Sequence, residues 1–71
     1  MFKYILKLDD KIIGSFETEQ DAWKEMLIYI KEELHFITYY QRVWKEGNVT
    51  TIDYGSHIHF FYIEEEEICK N

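Results

Sequence analysis

Residues 2–8, Phe-Lys-Tyr-Ile-Leu-Lys-Leu, alternate between the two sides of an extended chain. Phe2, Tyr4, Leu6 and Leu8 fall on one face, with Lys3 and Lys7 on the other. That period of two predicts a half-buried strand. Asp9, Asp10 and Lys11 follow with turn chemistry, since short carboxylates bond the nearby backbone. Residues 11–16 return as a second strand in which Gly14 marks a bulge. The period then changes. Over 18–34, Ala22, Trp23, Met26, Leu27, Ile30 and Leu34 form one broad stripe at 3.6-residue spacing, and charged residues fill the opposite side. Thr18 is a suitable N-cap, and Glu19 and Asp21 put negative charge at the positive end of the helix dipole. The helix is expected to end near His35. Ile28 breaks its pattern by projecting from the charged face, with Tyr29 near that face's edge.

After the helix the chain is again rich in β-formers. Residues 36–45 are dense in aromatic and β-branched side chains, which favours a strand over a prolonged helix. Glu46, Gly47 and Asn48 read as a turn, 49–54 as a strand, Gly55-Ser56 as a tight turn, and 57–63 as a last strand. The expected architecture is α+β, of order ββαβββ: a small, mainly antiparallel sheet with one helix on one face. It forms a single domain, and an acidic C-terminal tail begins at about residue 64.

The two faces of such a sheet cannot both be covered by one helix. Phe36, Tyr40 and Trp44 share one side of their strand, and Ile37, Tyr39 and Val43 the other. Ile58, Phe60 and Tyr62 likewise oppose His57, His59, Phe61 and Ile63. Apolar surface left over in a monomer usually marks a partner site. Tyr and Trp suit that role, having an apolar body and a polar tip. The residues expected to meet a protein partner are Ile28, Tyr39, Tyr40, Trp44 and Phe61, together with the glutamates Glu64, Glu65, Glu66 and Glu67.

Composition sharpens this. A chain of 71 residues gains only a modest stability margin from its own core, to which a metal, a disulfide or oligomerisation would usually add; with the two-sided aromatic pattern, self-association is expected, with a dimer as the simplest form. The net charge of −6 opposes direct binding to a phosphate backbone. The aromatic share is 18%, with no Pro and three Gly. Cys69 has no second cysteine to bond, which fits a reducing compartment. No apolar run reaches the ~20 residues of a membrane span, and the N-terminus carries no long signal-type core. The expectation is a cytoplasmic protein that does not bind membranes.

Candidate chemistry is sparse. His57 and His59 share one face of a strand, a spacing that would hold a metal with Asp53; two imidazoles are not a site, and packing or surface roles are commoner for such pairs. Ser56, His57 and Asp53 offer nucleophile, base and orienter in name. However, neighbouring strand residues point to opposite faces, and no nucleophile elbow is present. No glycine-rich phosphate loop exists. No cofactor and no enzymatic activity are expected. Arg42, the one arginine, reads as structural, stacked on an aromatic ring or paired with Asp53 or Glu46. The four-glutamate run reads as a solvated tail or as an arm that docks on a basic groove.

Two stretches carry a resemblance. Ile12-Ile13-Gly14-Ser15-Phe16-Glu17-Thr18-Glu19 running into Ala22, and Ile52-Asp53-Tyr54-Gly55-Ser56-His57 followed by Phe60-Phe61, resemble small uncharacterised proteins of Gram-positive phages and prophages. The resemblance implies a cytoplasmic accessory protein that acts by binding a host or phage protein, and it transfers no functional residue.

Three functional expectations follow. The first is a non-enzymatic binding protein that self-associates or grips a partner through an aromatic sheet face. The second is an acidic, inhibitor-like module that occupies a basic nucleic-acid-binding surface of another protein. The third is a metal-dependent or hydrolytic enzyme built around His57, His59 and Asp53.

Overall fold

A computed structural model describes residues 2–34, 42–55 and 58–68. Its element order is β1 (Phe2–Leu8), β2 (Lys11–Phe16), α1 (Glu19–Glu32), β3 (Arg42–Glu46), β4 (Val49–Asp53) and β5 (Phe61–Glu67). This is the expected ββαβββ α+β fold. The strands form one sheet in the order β2-β1-β5-β4-β3, with every neighbouring pair antiparallel. Two hairpins, β1-β2 and β3-β4, therefore flank the C-terminal strand, which lies between them and completes the sheet.

The helix begins as expected. Thr18 sits in extended geometry, and its Oγ1 accepts the Asp21 N–H at 3.1 Å, satisfying one donor that the first turn leaves unpaired. It ends at Glu32 rather than His35, closed by Glu33 and Leu34 N–H groups that both donate to the Tyr29 carbonyl, at 2.9 and 3.2 Å. Ala22, Met26 and Ile30, one turn apart, are its buried line. The stripe is narrower than the spacing predicts, because Leu27 is 48% exposed. Tyr29, expected near the charged face, is half-buried with its ring edge-on to Phe61 at 6.1 Å. Both shifts have one cause: the helix packs over β1, β2 and β5, so the side away from those strands stays in water.

The core joins Ala22, Met26 and Ile30 to Leu6, Ile52, Tyr54, Phe61 and Ile63. Register shows why. Leu6 pairs with Ile63, Leu8 with Phe61, Phe61 with Ile52 and Ile63 with Thr50, so all of these share the helix side of the sheet. Phe61 is fully buried, with Tyr29 and Tyr54 rings edge-on to it at 6.1 and 5.1 Å. It is a core residue and offers no surface to a partner.

The largest departure from expectation is the last strand. It runs over Phe61–Glu67 rather than 57–63, so the four glutamates are not a tail. They lie in the middle strand of five. Glu64 pairs with Ile5 and Val49, and Glu65, Glu66 and Glu67 pair with Tyr4, Lys3 and Phe2. Glutamate is a poor strand former in general, but hydrogen bonding to neighbouring strands and paired charges outweigh that preference here. Lys7 Nζ lies 2.8 Å from Glu64 Oε2, and Lys45 Nζ 3.8 Å from Glu65 Oε2.

The first hairpin carries the expected bulge one step from its expected place. Leu6 pairs with Gly14 but Lys7 with Ile12, which makes Ile13 the extra residue. The Phe16 ring folds back over Gly14: a Cβ there would stand 3.1 Å from Phe16 Cζ, so the ring would have to give by a few tenths of an ångström.

Candidate protein-binding face

The sheet side turned away from the helix is built by the same register. Ile12 pairs with Lys7, Lys7 with Tyr62, Tyr62 with Thr51 and Thr51 with Trp44. Because cross-strand partners share a face, these five residues form one row across all five strands. Ile12 is 63% exposed at one end and Trp44 39% at the other. Lys7, Tyr62 and Thr51 between them are half-buried by their neighbours on the sheet. Trp44 is further held by Phe60, edge-on with ring centroids 6.3 Å apart. A second row, Ser15, Ile5, Glu64, Val49 and Glu46, runs parallel to it. The surface is thus mixed: aromatic and aliphatic patches with the Lys7–Glu64 ion pair between them.

The expected contact residues do not all gather there. Trp44 does. Ile28 is 47% exposed on the helix, with the sheet lying between it and Trp44, so the two cannot serve one patch. Tyr39 and Tyr40 lie outside the described residues. Phe61 is in the core. The glutamates alternate, Glu64 and Glu66 on the helix-free side and Glu65 and Glu67 on the other, as a strand requires. Glu65 also accepts the Tyr4 hydroxyl at 3.3 Å. Partial burial and then the Glu65 carboxylate hold that phenol above its ordinary pKa.

Of the metal and hydrolase candidates, the described Asp53 and His59 engage different partners. Asp53 is buried and engaged twice: Arg42 Nη2 approaches its Oδ2 at 3.3 Å, and its Oδ1 accepts the Gly55 N–H at 3.0 Å. The expected Arg42–Asp53 pair is therefore present. His59 turns instead to Asp9, with Nδ1 to Oδ2 at 2.5 Å. Ser56, His57 and Cys69 lie outside the described residues. Among the described residues, no three His, Cys, Asp or Glu side chains are arranged to hold a metal ion. No helix among them is long and apolar enough to cross a membrane.

One constellation was missed in the sequence. Asp9, in the left-handed region with φ 53°, clasps the approach to β5. Its N–H donates to the Phe60 carbonyl at 3.0 Å, and its Oδ1 accepts the Phe60 N–H at 3.2 Å. The His59 hydrogen bond, with help from that N–H, holds the Asp9 carboxyl below the usual carboxylate range. The Asp-Asp-Lys turn was the only signal, and nothing in it names residues fifty positions away. A cleft of about 640 Å³ opens at the other end of β1, lined by the apolar Phe2, Phe16 and Ile68 and the polar Lys3, Ser15, Glu17 and Thr18.

No protein-family model matches the chain, and neither curated proteins nor solved structures give a match.

Proposed function

We propose that this chain is a non-enzymatic protein-binding module that self-associates and meets its partner with the sheet face opposite the helix. One observation carries the reading: the row Ile12–Lys7–Tyr62–Thr51–Trp44 spans the whole sheet on the side that α1 does not cover. Exposed aliphatic and aromatic groups around a central ion pair are the composition of a recognition surface, apolar at its anchors and polar between them. The single cysteine fits work in a reducing, cytoplasmic compartment. The net charge of −6 speaks for a protein partner rather than nucleic acid.

The reading as an acidic module that occupies a basic groove has less support. It rests on the net charge of −6 and on the Glu64–Glu67 run, and the four carboxylates of that run divide between two faces, with Glu64 and Glu65 paired to lysines.

Sedimentation equilibrium at micromolar concentration tests the proposal. Concentration-dependent association is expected, and Trp44→Ser should weaken it without changing the far-ultraviolet circular dichroism. A wild-type chain that remains a strict monomer removes the self-association. Partner capture that Ile12→Ser and Trp44→Ser leave unchanged removes the face.

A further inference from the structure

We propose that two copies of this chain join edge to edge through β3, antiparallel, with Trp44 opposite Trp44 of the second copy. The inference rests on the reading of the chain as self-associating and specifies where and in what register it does so. Among the described residues the sheet has two edges, β2 and β3. The first is interrupted by the bulge at Ile13, a common way of blunting an edge against pairing. The second pairs with β4 without any register shift, contains no proline, and is exposed at all five residues. Its outer backbone groups are therefore a template for another strand.

The sequence of β3 says which strand. Arg42-Val43-Trp44-Lys45-Glu46 is complementary to itself when reversed. Antiparallel pairing centred on Trp44 sets Arg42 against Glu46 of the second copy, and Glu46 against its Arg42. Arg42, Trp44 and Glu46 share the helix-free side, so both ion pairs flank the two indoles on one surface. Val43 then faces Lys45 of the second copy on the other side. Any other register loses one or both charge pairs.

The side chains are placed for this. The Arg42 side chain is 63% exposed and spends one nitrogen on Asp53, leaving further donors for a carboxylate. Glu46 is exposed and makes no ion pair among the described residues. Lys45, the kind of charge that guards an edge, leans back over β4 toward Glu65 of β5. Closure is two-fold, so assembly stops at a dimer. The face row continues across the junction into a ten-stranded sheet, doubling the surface offered to a partner.

Charge-reversal variants test the register. Glu46→Arg and Arg42→Glu each set like charges opposite one another twice, so each alone should dimerise at least about tenfold more weakly than wild type. Mixed together they regain both pairs and should form a heterodimer, read by sedimentation. Should Arg42→Glu unfold for want of the Asp53 pair, Val43→Glu replaces it. That variant would face Lys45 of the second copy and should tighten dimerisation, whereas an added carboxylate at any other interface of this acidic chain weakens it. Glu46→Arg that dimerises like wild type, variants that do not pair on mixing, or Val43→Glu that fails to tighten overturns the β3 register and leaves self-association standing. A strictly monomeric wild type overturns both.

Discussion

Asp9 and His59 are fifty residues apart in sequence and 2.5 Å apart in space, Nδ1 to Oδ2. The contact fastens the turn of the first hairpin to the stretch that leads into the middle strand. Since β5 must enter a gap between two hairpins, a tie at its entry fixes which residue of β5 meets Leu8. The Asp9 N–H donating to the Phe60 carbonyl, and the Phe60 N–H donating to the Asp9 carboxylate, make the same tie.

The Asp9 carboxyl lies below its ordinary pKa of 3.8 in the folded chain because the native partners favour its charged form. The unfolded chain then binds its proton more readily. The resulting stability is fully present above the ordinary value and is lost as pH falls through the lowered one. Asp9→Asn keeps the left-handed turn and one acceptor but not the charge. It should cost up to about 1 kcal/mol at neutral pH, because the pair is largely exposed. In urea titrations the gap between wild type and variant should close as pH drops below the carboxylate range. A gap that stays constant to low pH would exclude the charge as its source.

Phe61 and Trp44 test the distinction between core and face. Phe61→Ala removes a fully buried ring contacted by Tyr29 and Tyr54, and should cost about 3–5 kcal/mol. For a domain of this size such a loss is a large part of the whole. Trp44→Ala loses mainly the Phe60 contact, and should cost about 1 kcal/mol. Chemical denaturation of both variants gives the comparison, and equal costs would mean that Trp44 is a core residue after all.

Periodicity located the helix and the first hairpin because their signals are local. Thr18 caps where a hydroxyl before a charged first turn should, and 2–8 alternates as a strand with one wet side. It failed where a neighbour decides. Leu27 and Tyr29 are a turn-fraction apart on the helix, and only the position of the sheet beneath determines which is buried. Phe61 looked like one face of an amphipathic strand, yet which face meets the helix depends on its register with Leu8 and Ile52. Glu64, Glu65, Glu66 and Glu67 read as a tail because four carboxylates in a row rarely form a strand. Lys3, Lys7 and Lys45, which make a strand tolerable there, are distant in sequence.

Gly47 turns the β3-β4 hairpin with φ +60°, and nothing lies within 4 Å of where a Cβ would be. Substitution there meets no steric neighbour, so any cost is that of a left-handed backbone. Gly47→Ala should destabilise by about 1 kcal/mol, and Gly47→Asn by clearly less, since asparagine tolerates this region. Thermal melts of the two variants check the order. If they are equal, the turn has relaxed to another conformation.

Truncation after Ile63 separates a strand from a tail most directly. A solvated acidic tail could be removed with no loss of structure, and relief of charge repulsion would even raise stability. In the observed register the cut instead takes from β1 its partners at Phe2, Lys3, Tyr4 and Ile5, and from β4 its partner at Val49. It also removes both lysine-paired carboxylates. Backbone groups in the middle of the sheet would then lose their hydrogen bonds, with each buried one costing about 1–3 kcal/mol. Several such losses exceed what a domain of this size can absorb. The shortened chain should therefore lack a cooperative thermal transition, whereas replacing Glu66 and Glu67 by Gln in the full chain should leave that transition nearly unchanged. A shortened chain with a wild-type melt would place Glu64, Glu65, Glu66 and Glu67 outside the fold.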